Sequence, residues 1–300
     1  MHKLQKNKYD LSVVIVSYNT RDILLQCLHS LEKEKSSLKF EVIVVDNNSS
    51  DGTIQELENF NSKRFSFILV KSNTNLGFSK GNNKARKYVN SDTVLFLNSD
   101  TIVHTNSLYL PYEYLKSNDN FGAVTVKTIL PDGGYDPDMY RSFPTPFVSL
   151  THFSGLDKVF RSSEIFSKYR YGYLDPEVVN EIDVAQGAYL MAKKEVLDQV
   201  DWFDEDYFLD GEDIDLCWKI KETGKKIIYF PDAYITHIKK ASKNVDRKRD
   251  IKSVTRGVEA MKIFYKKRLS KNYNGISNFI VFTSIDFLKL LRTFKYKINL

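Results

Sequence analysis

Residues 92–101 read DTVLFLNSDT. Val94 to Leu97 are four apolar residues in a row, the pattern of a strand covered on both faces, and the run then breaks into Asn98-Ser99-Asp100. LSVVIVS (11–17), FEVIVVD (40–46) and FSFILVK (65–71) have the same character, and the helix-like segments RDILLQCLHSLEKE, TIQELENF and SKGNNKARKYV separate them. NSLYLPYEYLKS and GAVTV carry the alternation to Val126. Continuous β-branched strands alternating with amphipathic helices specify an α/β fold, a mostly parallel central sheet with helices on both faces. Such a sheet gathers ligands outside the carboxyl ends of its strands. Three of those ends carry polar clusters: Ser17-Tyr18-Asn19, Asp46-Asn47-Asn48-Ser49 and Asn98-Ser99-Asp100.

The first strand is not followed by GxGxxG and no GxxxxGK[ST] occurs, which disfavours a dinucleotide oxidoreductase and a P-loop NTPase. A chain of 300 residues that is 42% hydrophobic buries a sizeable core, enough for a catalytic domain with additions. Its two cysteines, Cys27 and Cys217, fall in helical patterns without zinc spacing, so a reduced, cytoplasmic chain is expected. The polar start MHKLQKNKYD has no signal-peptide character, and no run of 18 apolar residues suits a spanning helix.

Beyond Val126 the pattern changes. Residues 127–180 hold five of the seven prolines and ten aromatics, an irregular insertion over the sheet whose rings either stack on sugars or pack the loop. DVAQGAYLMAKKEVLDQV restores regular patterning, EDIDLCWKIKETG reads as a helix closed by Gly224, and KKIIYF is a further strand. The charge is uneven. Residues 239–300 hold 17 Lys/Arg and 4 Asp/Glu, a net +13, and the remainder is −7. A basic, helical tail of this kind is expected to meet something anionic.

Carboxylates mark the candidate chemistry. Asp46 ends a buried strand, where it can accept the imide N–H of uracil or thymine, while turn chemistry alone accounts for Asn47, Asn48 and Ser49. Asp100 is a hard oxygen ligand suited to Mg2+ or Mn2+ against a diphosphate, or the cap of a helix starting near Thr105. Asp210, Glu212, Asp213 and Asp215 crowd six positions; acids suit a helix start, yet four together favour a cation or a proton-transfer role. Asp213 shares a helical face with Leu216, Cys217 and Ile220, which turns it toward the cleft as a general base and Asp215 elsewhere. His237 closes IIYFPDAYITH, and taken alone a histidine there is more often structural than a ligand.

In order, VVIVSYN, VIVVDNNSSDGT, NTNLGFSKGNN, LFLNSD, GAYLMAKKEVL, WFDEDYFLDGEDIDLCWKI and PDAYITH resemble the family-2 inverting glycosyltransferases of GT-A fold, closest to the bacterial rhamnosyltransferase-like subset. The likeness covers about residues 11–240. It implies a base contact from Asp46 with Ser17, Asn19 and Asn48 beside it. Gly77, Asn82, Asn98 and Ser99 would complete the nucleotide-sugar pocket. NSD stands where many relatives carry DxD, so Asp100 would hold the metal, and His237 would join it. Asp213 would be the base and Glu212 its orienting neighbour. The implied donor is a UDP- or dTDP-sugar, dTDP-rhamnose favoured, and the acceptor a hydroxyl of a glycan or polyprenyl-linked molecule.

The implied division is a catalytic domain over 1–240, with a nucleotide-sugar half at 11–126, an acceptor-side insertion at 127–180 and a base helix at 211–223. A basic helical extension occupies 241–300. In the extension, Phe279, Ile280, Phe282, Ile285, Leu288 and Leu291 interleave with Lys289, Arg292, Lys295 and Lys297. This suits a helix in the headgroup region of an anionic membrane, on the inner face of the cytoplasmic membrane, or a helix packed on the catalytic domain or on a second subunit of a homodimer. No nucleic-acid reader motif accompanies the charge. A nucleotidyltransferase or a non-catalytic sugar-nucleotide-binding protein are the competing functions, and the first lacks a basic clamp near strand one, where only Arg21 stands.

Overall fold

A computed structural model describes residues 8–239 and 251–298. The N-terminal stretch read for targeting signals, residues 1–7, and the start of the basic extension, residues 240–250, lie outside the described residues, as do 299–300. The first half contains β1 (Leu11–Ser17), α1 (Arg21–Glu32), β2 (Phe40–Asp46), α2 (Thr53–Asn59), β3 (Ser66–Lys71), α3 (Gly77–Ala85), β4 (Thr93–Asn98), β5 (Thr101–Val103) and α4 (Tyr109–Lys116). β6 (Phe121–Ile129), β7 (Tyr140–Arg141), α5 (Pro146–Phe153), α6 (Leu156–Val159), β8 (Asn180–Ile182), β9 (Val184–Ala185), β10 (Tyr189–Lys193) and α7 (Lys194–Gln199) follow. The chain continues through α8 (Glu212–Glu222), β11 (Lys226–His237), α9 (Ile251–Phe264) and α10 (Gly275–Ile298).

The large sheet runs β3-β2-β1-β4-β10-β6-β11-β5, with β8 also on β11, and β7 pairs with β9 in a small second sheet. β1, β2, β3 and β4 are mutually parallel, as the buried runs require, and β6 is parallel to β11. β10 enters antiparallel between β4 and β6, so strands adjacent in the sequence alternation are not adjacent in the sheet. Side chains of the parallel strands alternate between two cores. Val13, Ile15, Leu95 and Leu97 pack with Leu24, Leu28 and Tyr112 from α1 and α4. Val14, Val45, Val94 and Phe96 pack with Ala85, Val196 and Leu216 from α3, α7 and α8. A wholly buried aliphatic side chain contributes roughly 1.5–3 kcal/mol, so a one-residue slip that exchanged the two faces is strongly disfavoured.

Register then sets the functional edge. Ser17 lies opposite Asp46, and Val16 opposite Asn98, so the three polar clusters end side by side. Asp100 caps no helix: β5 intervenes and α4 begins only at Tyr109. β11 is longer than the run KKIIYF, and it passes Pro231 through a register shift between Phe230 and Tyr234, a bulge that accommodates a proline. His237 is its last residue, on the strand rather than past it. The segment 127–180 is less irregular than expected: it begins as strand, since β6 runs to Ile129, and it contains β7, α5 and α6 joined by loops. Two of its aromatics, Tyr140 and Tyr171, are core residues.

The described part of the extension, residues 251–298, packs on the preceding body. Val258, Ala260 and Phe264 of α9 join Tyr207 and Ile285 in a third core. Asp215 points into this junction and is wholly buried, where Arg268 grips it with two hydrogen bonds of 2.7 and 2.9 Å. The Tyr207 hydroxyl donates to the same carboxylate at 3.2 Å. Lys267 pairs with Asp204 and Asp206. Part of the tail's positive charge is therefore spent on the acidic body of its own chain.

Candidate active site

At the ends of β1, β2 and β4, short polar side chains knit the loops together. The Ser17 and Thr20 hydroxyls lie 2.9 Å apart, and Thr20 donates to Ser99 at 3.2 Å. Asn19 adopts φ 53°, its N–H donates to the Ser49 hydroxyl, and its side-chain oxygen accepts from Ser50 N–H at 2.7 Å. Asn48, at φ 69°, is exposed in the same loop. Asp46 is wholly buried: Oδ1 accepts from Ser49 N–H at 2.9 Å, while Oδ2 has no protein partner. A buried carboxylate oxygen without a donor is costly, and a ligand N–H would satisfy it. Asn82, at 1% exposure, similarly leaves its oxygen unpartnered after its NH2 bonds Phe78 O.

Gly77 opens α3 at φ 78°, and the carbonyl of Phe208 lies so close that a Cβ there would meet its oxygen at 2.2 Å. The Phe78 N–H donates to that same oxygen at 2.7 Å. The loop before α8 is thereby anchored on the start of α3. Gly77→Ala combines a backbone strain of about 1–3 kcal/mol with a backbone clash. Its denaturation midpoint is expected to fall, and an unchanged midpoint would contradict this anchoring.

Asp100 and His237 meet directly rather than only through a shared ion. His237 Nε2 lies 3.2 Å from Asp100 Oδ1, and Nδ1 lies 3.3 Å from Oδ2 of the wholly buried Asp136. Asp136 is in turn held by Lys239 at 2.5 Å. Burial lowers the His237 pKa, but hydrogen bonds to Asp100 and Asp136 outweigh it and raise it to about 9. Burial opposes ionisation of Asp136, and His237 and Lys239 nevertheless hold it well below the usual carboxylate range. No cluster of three or more His, Cys, Asp or Glu suited to a metal occurs among the described residues. A carboxylate oxygen and an imidazole nitrogen are donors of the kinds that bind a divalent ion, and an ion there would have to displace the proton that the raised pKa keeps on His237. The carboxylate behind the imidazole is the usual way to orient a metal-binding histidine.

At the start of α8, Asp213 Oδ2 accepts from Arg141 at 2.5 Å and from Gly187 N–H at 3.3 Å, and Oδ1 accepts from Ile214 N–H at 2.8 Å. A carboxylate offers about four lone-pair directions, so one remains for a substrate hydroxyl. Glu212 is 6% exposed, its Oε2 has no partner, and burial followed by the neighbouring Asp213 charge raises its pKa to about 8. Gly187 joins the two halves of the site. A Cβ there would lie 3.7 Å from Asp213 Cβ and 3.7 Å from the Phe78 ring of α3, and the next residue, Ala188, accepts the Asn98 N–H.

The sequence of the chain matches a known family. The model for glycosyl transferase family 2 covers residues 12–201, more than half of the chain. The chain belongs to glycosyl transferase family 2. Among curated relatives of this family-2 chain, the uncharacterized glycosyltransferase YfnE of Bacillus subtilis (strain 168) is 38% identical over 85 residues, 28% of this chain and 21% of that protein. The chain thus spans about a fifth of that relative's length. Mannosyltransferase PcManGT from Pyrobaculum calidifontis, in complex with GDP-Man and Mn2+, has a TM-score of 0.57 at 17% identity, covering 89% of this chain and 68% of that one. S. aureus TarS 1-349 in complex with UDP-GlcNAc has 0.55 at 20% identity, covering 85% and 65%. The common fold is GT-A.

Sequence reading missed Asp136, Arg141, Phe208 and Arg268. The first two lie five positions apart on one segment, one behind His237 and the other on Asp213. That segment is tied to β6 of the large sheet through Asp136 N–H to Thr128 O, and to β9 of the small sheet through its pairing with β7.

Proposed function

We propose that the chain is an inverting glycosyltransferase of the rhamnosyltransferase-like subset, moving a sugar from a UDP- or dTDP-sugar, dTDP-rhamnose favoured, to a hydroxyl of a glycan or polyprenyl-linked acceptor in cell-surface polysaccharide synthesis. The observation that carries it is the convergence of Asp46, the Asp100–His237 pair and Asp213 on the carboxyl edge of a family-2 fold. In this reading Asp46 Oδ2 takes the imide N–H of the base, with Ser17, Asn19, Asn48 and Ser99 around it. Gly77, Asn82 and Asn98 border the sugar and diphosphate. A divalent cation, Mg2+ or Mn2+, held by Asp100 and His237 would neutralise the departing diphosphate. UDP-GlcNAc in TarS and Mn2+ in PcManGT are compatible with such a donor and ion.

Asp213 accepts the proton of the attacking hydroxyl, and Arg141 and Gly187 N–H orient it. Glu212 keeps its own proton near neutrality, so the two adjacent carboxyls take different roles, base and orienting neighbour. One base suffices when the leaving group is a metal-bound diphosphate, whereas a glycosidase needs a second carboxylic acid for its alkoxide. The insertion over 127–180 would shape the acceptor side of the 1–240 domain. A nucleotidyltransferase is disfavoured because Arg21 is engaged by Asp22 and the Asp51 carbonyl.

Incubation with UDP- and dTDP-sugars, Mn2+ and a lipid-linked acceptor is expected to release UDP or dTDP. Release of pyrophosphate, or of nothing across the donor panel, would sink the reading.

A further inference from the structure

The tail helix presents two unlike faces. Val281, Phe282, Ile285 and Leu288 of α10 face the third core, and Lys289 pairs with Glu259 and Asp286 with Lys262 across to α9. These contacts fix which way α10 is turned. On the side turned away, Ile276, Phe279, Phe287, Leu290, Phe294 and Ile298 are 58–75% exposed. Their steps follow the 3.6-residue period, so they form one apolar stripe along nearly the full helix. The apolar set expected from sequence therefore divides: Phe282, Ile285 and Leu288 belong to the protein side, and the exposed Lys289 is engaged by Glu259.

We propose that this outer face of α10 docks the chain on an anionic lipid surface, lying in the headgroup region. Among the described residues no helix is long and apolar enough to cross a membrane, and α10 carries Asp286, Lys289, Arg292, Lys295 and Lys297, which suits lying on a bilayer. Charge selects the occupant. The stripe itself contains no acid, exposed Lys295 and Lys297 border it, and residues 239–300 carry a net +13, of which Lys239, Lys267 and Arg268 are already paired with acids of the body. A second copy of the chain would set two such segments against each other, whereas anionic headgroups attract them. Three phenylalanines in the stripe supply the bulky apolar groups that insert at the headgroup boundary.

Docking by this face has a consequence for the site. α9 separates α10 from the base helix: Ala260 lies against Gly211, and the Arg256 guanidinium sits 5.4 Å over the Phe208 ring. Helices pack about 8–10 Å apart, so the start of α8 would lie within about two helix layers of the bilayer. This surface stands whether or not the sugar-transfer reading holds, because its test does not use activity.

Flotation of the full chain with vesicles of phosphatidylcholine and phosphatidylglycerol, against pure phosphatidylcholine, tests it. Binding to the anionic vesicles at low salt is expected, falling at least tenfold at high salt. The triple variant Phe279→Ser, Phe287→Ser, Phe294→Ser, confirmed folded by an unchanged melting curve, should also bind at least tenfold more weakly. Lys295→Gln with Lys297→Gln gives a charge variant that leaves the protein-facing side untouched and should reduce binding as well. No flotation of the wild type, equal binding to neutral vesicles, or undiminished binding by the triple variant overturns the proposal. A dimer in sedimentation equilibrium that the triple variant converts to monomer, without vesicle binding, assigns the stripe to a second copy instead.

Discussion

Asp213→Asn is expected to lower kcat for glycosyl transfer by about 10²–10⁴ while leaving nucleotide-sugar binding near wild type. The amide keeps the shape of the carboxylate and can still accept from Gly187 N–H, but it has no basicity to take the acceptor proton. It also leaves Arg141 without its counter-charge in a site where Asp213 and Arg141 side chains are only 11% and 14% exposed. Removing one partner of a buried pair is costly, about 3–5 kcal/mol in full burial, so the melting temperature must be read beside the rate. Donor titration separates the two effects, since a misfolded variant loses the donor and a chemically silent one does not. Retention of more than about a tenth of wild-type kcat would remove Asp213 as the base.

The alternative base would then be Glu212, and pH distinguishes it. Its pKa in the folded chain is about 8 against an ordinary value of 4.5, with burial the larger cause and Asp213 the next. A Glu212 base would therefore gain activity as pH rises through about 8. The same shift has a stability consequence of fixed sign. A carboxyl whose pKa is raised on folding favours the native state below about 4.5, and that contribution is lost as pH rises through about 8.

Those parts of the site that ride on periodic elements were legible in the sequence. Asp46 and Asp100 follow buried apolar runs, and once strand register is set by burial their meeting at one edge follows. Asp213 was legible for a related reason, because helical periodicity assigns its face. Asp136 and Arg141 carry no such signal: they lie in a proline- and aromatic-rich stretch where neither period operates, and their positions depend on backbone bonds to Thr128 and to β9. Asp215 was equally opaque. Its partner Arg268 lies 53 residues away in the extension, and no local pattern links the two. The α10 stripe shows a third limit. Apolar residues encircle much of that helix, and only the packing of α9 decides which of them face protein.

Asp100→Ala is expected to abolish the Mn2+-dependent part of nucleotide binding, and His237→Ala to weaken it. Asp100 supplies the hard oxygen and His237 a nitrogen 3.2 Å away, and since no cluster of three or more His, Cys, Asp or Glu suited to a metal occurs among the described residues, the expectation rests on these two side chains. The two variants should differ in kind. Losing Asp100 removes a negative charge that offsets a dication, whereas losing His237 removes a nitrogen donor and leaves Asp136 to Lys239 and the Asp138 N–H. Asp136→Asn tests the support directly: it leaves both ligands in place yet weakens the orientation of the imidazole, and loss of such a partner typically lowers metal affinity about 10–100-fold. Calorimetric titration of UDP or dTDP with and without Mn2+ reads all three variants without requiring turnover. An Asp100→Ala chain that still binds nucleotide more tightly with Mn2+ would place the ion elsewhere. A donor complex with His237 more than about 3 Å from the ion, beyond coordination distances of about 2–2.6 Å, would leave Asp100 as the sole protein ligand and reduce His237 to a hydrogen-bonded buttress between Asp100 and Asp136.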